Sequence, residues 1–119
     1  MSIDRVPGCL FCRIVAGELP ATKVHEDDEV LAIRDIAPRA PTHILLMPRS
    51  HVPSAADLTT AHAGLLGAIF SAAAAIARAE GIAERGYRIV TNVGAWGGQT
   101  VDHLHFHLMG GRAFEWPPG

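Results

Sequence analysis

The stretch Gly97-Gly98-Gln99-Thr100-Val101-Asp102-His103-Leu104-His105-Phe106-His107-Leu108 places three of the chain's seven histidines at alternate positions, each separated from the next by one apolar residue. Alternation is the period of a β-strand, so the three imidazoles are expected on one face, with Leu104, Phe106 and Leu108 on the other. A purely structural strand has no use for such a row, because each buried ring brings a polar nitrogen that needs a partner. Chemistry is the better explanation, and the Gly-Gly-Gln-Thr just upstream offers flexible backbone, an amide and a hydroxyl suited to an anion. A single shared metal ion does not account for the row. At about 3.3 Å per residue, His103 and His107 stand roughly 13 Å apart along the backbone, so two of the three could ligate one ion but not all three. The other imidazoles are left for attack, proton transfer or binding of a phosphate oxygen, roles that suit a group titrating near neutrality.

The rest of the composition bounds the partner. A chain of 119 residues with 49% hydrophobic content makes one domain with a modest core. A net charge of −2 with no block of Lys and Arg argues against nucleic acid or an anionic membrane as the main partner, so the ligand is expected to be small and held by local groups. Residues 1–8 contain Asp4, Pro7 and Gly8 and no apolar run, and no stretch of about 18 consecutive apolar residues occurs, so a cytoplasmic location is expected. In a reducing compartment Cys9-Leu10-Phe11-Cys12 has three readings: a redox pair, half of a metal site, or two buried small residues.

The patterning predicts an α+β fold. Leu10 to Ala16 reads as a short helix ended by Gly17, with Pro20 beyond it. Val30–Arg34, His43–Met47 and Tyr87–Asn92 read as strands punctuated by Pro38, Pro41 and Pro48. One long helix is expected from near Leu58, capped by Asp57 or Thr59, to about Glu80. Its apolar stripe is Leu65, Leu66, Ile69, Phe70, Ala73, Ile76 and Ala77. The strands lie too close together in sequence for helical crossovers, so the sheet should be antiparallel.

His103-Leu104-His105-Phe106-His107-Leu108-Met109 resembles the signature of the histidine triad (HIT) superfamily of nucleotide hydrolases and transferases. Cys9–Ile14, His25–Asp28, Arg34-Asp35-Ile36, Ala40-Pro41-Thr42-His43, Tyr87–Asn92, Gly97-Gly98-Gln99 and the terminal Trp116-Pro117-Pro118-Gly119 resemble, in order and spacing, the Hint branch of that superfamily. The resemblance implies a HIT-like fold with an antiparallel sheet of about five strands, one long helix and a short N-terminal helix, assembled as a homodimer. The domain would run over residues 9–119, after a flexible stretch 1–8 and with a C-terminal tail 112–119.

It also implies roles. His105 would be the nucleophile attacking the α-phosphorus of a purine nucleoside monophosphate derivative, with His107 and His43 contacting phosphate oxygens or protonating the leaving group. Asn92, Gly98, Gln99 and Thr100 would face the phosphate, Asp35 the ribose hydroxyls, and Phe11, Ile14, Leu19, Ile33 and Ile36 the base. Trp116 would reach towards the partner's site and help set leaving-group specificity. No metal is implied in the reaction, but bacterial members hold a structural zinc with the positions filled here by Cys9, Cys12, His51 and His103. The implied activity is a purine nucleoside phosphoramidase acting through a nucleotidyl-histidine. The alternatives are a dinucleoside polyphosphate hydrolase of the Fhit-like branch, against which the terminal Trp-Pro-Pro-Gly stands, and a slow nucleotide-binding regulator. Two positions depart from the branch: Thr100 stands where serine is common, and Asp102 where an aromatic residue is usual.

Overall fold

Five strands hydrogen-bond into one antiparallel sheet: β1 (Lys23–Glu26), β2 (Val30–Arg34), β3 (Thr42–Pro48), β4 (Tyr87–Val90) and β5 (Phe106–Gly110), in the order β1-β2-β3-β5-β4. The computed structural model describes residues 5–119. Of the expected flexible stretch 1–8, residues 1–4 lie outside that range, Arg5 pairs with Glu18 at 2.7 Å, and the Val6 N–H points at the Cys12 sulfur.

Period-2 alternation sorts the strand residues onto two faces. Val30, Ala32, Ile44, Leu46, Phe106 and Leu108 form one buried cluster with the helix α2 (Ala63–Ala79). Leu31, Ile33, Leu45 and Met47 point the other way and pack on Phe11 and Ile14 of α1 (Leu10–Val15). The strands β2 and β3 are therefore covered on both sides, which is why they read as nearly unbroken apolar runs. The second face leaves room for a ligand, because α1 is six residues long and α2 seventeen. At its C-terminus α1 closes as expected at Gly17, whose φ of +80° lets Gly17 N–H reach Ile14 C=O and Glu18 N–H reach Arg13 C=O.

Two expectations need correction. The long helix begins at Ala63, not near Leu58. Residues 55–62 make two single turns of tight helix capped by Ser54 and Thr59, and the His62 ring accepts the Thr59 N–H, which closes that turn on itself. The expected stripe holds at Ile69, Ala73, Ile76 and Ala77, joined by Ala72, whereas Phe70 is half-exposed with its ring edge against Phe106. The 20 residues Thr60–Ala79, with mean hydropathy 1.6, meet the length and composition of a membrane span. In this fold that apolarity packs one stripe on the sheet.

The histidine strand also starts late. The hydrogen-bonded part of β5 runs from Phe106, so His103, Leu104 and His105 precede the ladder. Leu104 N–H donates to Val52 C=O at 2.6 Å, and the His103 ring is drawn aside to Pro48 C=O. Facing survives the missing ladder: Leu104, Phe106 and Leu108 are buried with α2, and His105 and His107 look out on the other side.

Candidate functional site

On the α1 side of the sheet a cavity of about 500 Å³ opens between α1 and the loop before β5. Its apolar wall includes Phe11, Ile14, Leu19, Ile33 and Ile36, the five positions expected around a base, and its other end carries Asp35, Thr100, His105 and His107. Phe11, Ile14 and Ile33 are buried, whereas Ile36 stands fully exposed at the rim. Leu10, Pro20, Ala21, Arg34, Leu45 and Val101 complete the lining.

The hydrogen bonds determine which nitrogen of each neutral imidazole carries a proton. His105 Nδ1 lies 2.7 Å from the His103 carbonyl oxygen, which can only accept, so Nδ1 is protonated and donates. The Nε2 lone pair of His105 is thereby left to the cavity. Thr91 Oγ1 donates to the His105 carbonyl at 2.8 Å, and the Phe11 ring meets the imidazole edge-on with centroids 5.0 Å apart, so both backbone and ring are held.

A second pair is ordered the same way. Arg39 N–H donates to His43 Nδ1 at 3.0 Å, which leaves the proton of the neutral ring on Nε2. That Nε2–H faces His107 Nδ1 at 2.9 Å and Asp35 Oδ2 at 3.4 Å. With Nδ1 accepting, neutral His107 carries its proton on Nε2. His107 and His105 are neighbours, their centroids 5.2 Å apart. Asp35, His43 and His107 also bring ligand atoms within 4.8 Å of one another, but the short contact between the rings is that of a hydrogen bond, so we read the set as a proton relay. The Arg39 backbone contact and the Thr91 hydroxyl contact were not foreseen, because nothing in residue type marks where a main-chain N–H will point.

Asn92 and Gln99 prove to be struts of the loop between β4 and β5. Asn92 Nδ2 donates to Gly97 C=O at 2.7 Å, Gln99 Oε1 accepts from Gly94 N–H, and Gln99 Nε2 donates to the carbonyls of Pro53 and Val101. Gly97 is required there, since a Cβ would lie 2.2 Å from Val93 O. Gly98, at φ +85°, turns the chain so that Thr100 reaches the cavity. Trp116 does not line the cavity of its own chain and is 84% exposed. The tail before it is pinned, with Phe114 between the Arg88 and Arg112 guanidinium groups and Arg88 donating to Glu115 C=O. Asp102 is exposed in the bend that precedes His103.

On the far side of His103, Cys9, Cys12, His51 and His103 bring two sulfurs and two ring nitrogens within 4.8 Å of one another. Cys9 Sγ lies 3.4 Å from His103 Nδ1, and Cys12 Sγ lies 3.3 Å from His51 Nδ1 and 3.5 Å from His103 Nδ1. In a tetrahedral zinc site the sulfur and nitrogen ligands stand about 3.5 Å apart, so the set fits. His103 Nε2–H donates to Pro48 C=O at 2.8 Å, which fixes the tautomer with a bare Nδ1 towards the sulfurs. Burial pushes His103 down to about 4, so that lone pair is available at neutral pH.

Burial also lowers His43 and His107 below the usual histidine value of 6.5. For His107 the neighbouring His105 and His43 add to the effect, and Asp35 opposes it at both rings. The relay therefore stays neutral through neutral pH. The unfolded chain takes up these protons near pH 6.5 while the folded chain resists, so the two rings reduce stability as pH falls below 6.5. NMR titration of the ring resonances should give midpoints below 6.5 for both residues, and a midpoint at or above 6.5 for either would contradict the neutral relay.

The comparisons agree with this geometry. The HIT domain family model matches residues 16–114. The purine nucleoside phosphoramidase of Escherichia coli K12 is 48% identical over 103 residues, 87% of each chain. A 14 kDa zinc-binding protein of Zea mays is 46% identical over 112 residues, 92% of this chain and 87% of the relative. The crystal structure of a HIT family hydrolase from Legionella pneumophila superposes with a TM-score of 0.93 at 51% identity, over 94% of this chain and all of the other. With the triad strand, the fold and these relatives in agreement, the chain belongs to the HIT domain family, in its Hint branch.

Proposed function

We propose that the protein is a purine nucleoside phosphoramidase that hydrolyses the P–N bond of adenosine 5′-phosphoramidates through a covalent nucleotidyl-histidine. The observation that carries this reading is the His105 tautomer: Nδ1–H is committed to the His103 carbonyl, so an unprotonated Nε2 faces a nucleotide-sized cavity. In the first step His105 Nε2 bonds to the α-phosphorus and the P–N bond breaks. The departing amine takes up a solvent proton, while neutral His107 Nε2–H donates a hydrogen bond to a phosphate oxygen and keeps its proton. In the second step water attacks phosphorus, the P–Nε2 bond breaks, and AMP leaves with His105 restored. The proton lost by water passes to solvent, while Asp35 and His43 hold the His107 ring in register. Asp35 Oδ1 accepts the Ala37 N–H and Oδ2 faces His43 Nε2, and each oxygen keeps a second acceptor site for a ribose hydroxyl. Support for the substrate class comes from the bacterial phosphoramidase at 48% identity.

The same reading includes a homodimer in the cytoplasm. β4 ends the sheet with one open edge, and Trp116 extends from a pinned tail, 84% exposed among the described residues, as a residue serving a second copy would. The four-ligand set would hold zinc, whose contribution there is to cross-link the N-terminal segment to the strand region around His51 and His103.

His105→Ala should lower kcat to below about a thousandth, or about 4 kcal/mol, while AMP binding by calorimetry stays within about tenfold. Turnover near the wild-type rate would remove His105 from the chemistry. Elemental analysis of purified protein should give about one zinc per chain. Cys9→Ser should lose it and melt at a lower temperature, and metal-free protein that remains folded should still turn over. An unchanged metal content and melting temperature in Cys9→Ser would contradict the site, and a folded, metal-free, inactive protein would contradict its structural role.

A further inference from the structure

Next to the catalytic cavity lies a second one of about 500 Å³, and the two share a wall made of Leu10, Thr100 and Val101. The second cavity is closed by residues 6–8 and by Cys9, His51 and Asp102. It meets the catalytic cavity at Thr100, the hydroxyl expected beside the phosphate and the leaving group. Its charge is one-sided. Cys9 and His51 belong to the four-ligand set, whose two thiolates and two neutral imidazoles would sum to zero with a divalent ion bound. The nearest arginine in sequence, Arg5, is engaged by Glu18 at 2.7 Å. Among the described residues Asp102 makes no hydrogen bond or ion pair, so its carboxylate is the one uncompensated charge on the lining. One residue, Val101, separates it from Thr100, at most about 7 Å between Cα atoms, within the reach of a short diamine chain.

We propose that this second cavity is the leaving-group subsite and that Asp102 makes it selective for amines bearing a further positive charge. The inference rests on the phosphoramidase reading and adds to it a specificity residue. It also accounts for Asp102, which neither the core nor the histidine relay uses. An aliphatic diamine bonded to phosphorus through one nitrogen presents its other nitrogen as an ammonium to that carboxylate, the methylenes lie along Leu10 and Val101, and a carboxylate-bearing amine is repelled.

Three adenosine 5′-phosphoramidates of matched length test this: those of butane-1,4-diamine, of pentylamine and of 4-aminobutanoate. Wild-type kcat/KM should fall in that order, by about fivefold per step at low salt, and the spread should narrow at 1 M salt. Asp102→Asn should bring the three within about twofold of one another, and Asp102→Lys should invert the order. Affinities of the same compounds for the His105→Ala protein should follow the same order without turnover. Equal ratios in wild type and Asp102→Asn would overturn the role of Asp102 while leaving the phosphoramidase reading intact. Failure of the wild type to hydrolyse any of the three would instead overturn the reading on which the subsite depends.

Discussion

His103 is the residue on which the rest of the site depends, because it faces two ways. Its ring lies fully buried among Cys9, Cys12 and His51, locked by the Pro48 carbonyl, and its own carbonyl accepts the Nδ1 proton of His105. One hydrogen bond thus converts the packing of the Cys/His cluster into the tautomer of the attacking imidazole. The ring's departure from the strand path is the cost of this arrangement. It ends the β5 ladder at Phe106, and the Val52 carbonyl replaces the lost partner of Leu104.

A shared preference for the neutral imidazole organises the remainder. Each ring has one nitrogen committed to a group that can play only one part: a carbonyl for His103 and His105, a main-chain N–H for His43. Such contacts leave no choice of tautomer, and burial removes the charged alternative for His43 and His107. A phosphoryl group bearing negative charge then enters a site preset with one lone pair and one N–H from the alternate positions His105 and His107. No rearrangement of the relay is needed before attack.

Much of this was legible in the chain because it follows from a period. Alternation in the histidine segment set Leu104, Phe106 and Leu108 opposite His105 and His107 even where the ladder is missing, and the apolar stripe of α2 was visible at Ile69, Ala73 and Ile76. What stayed hidden was contact made by the main chain or by amides with several possible partners. Gln99 looked like a phosphate ligand, yet it spends both ends of its amide bracing the loop, and Asn92 donates to Gly97. Thr59 was recognisable as a cap, but not the His62 contact that confines it to one turn and delays the helix to Ala63. Asp102 broke the family pattern, and only the neighbouring cavity suggested a use for it.

The central claim is that the reaction passes through a bond between phosphorus and His105 Nε2, and stereochemistry at phosphorus tests it without mutating the protein. A phosphoramidothioate of adenosine with single configuration, hydrolysed in heavy-oxygen water, undergoes two in-line displacements if a nucleotidyl-histidine forms. The account predicts net retention of configuration in the thiophosphate product. Net inversion would mean that water displaces the amine directly, and would contradict the role assigned to His105.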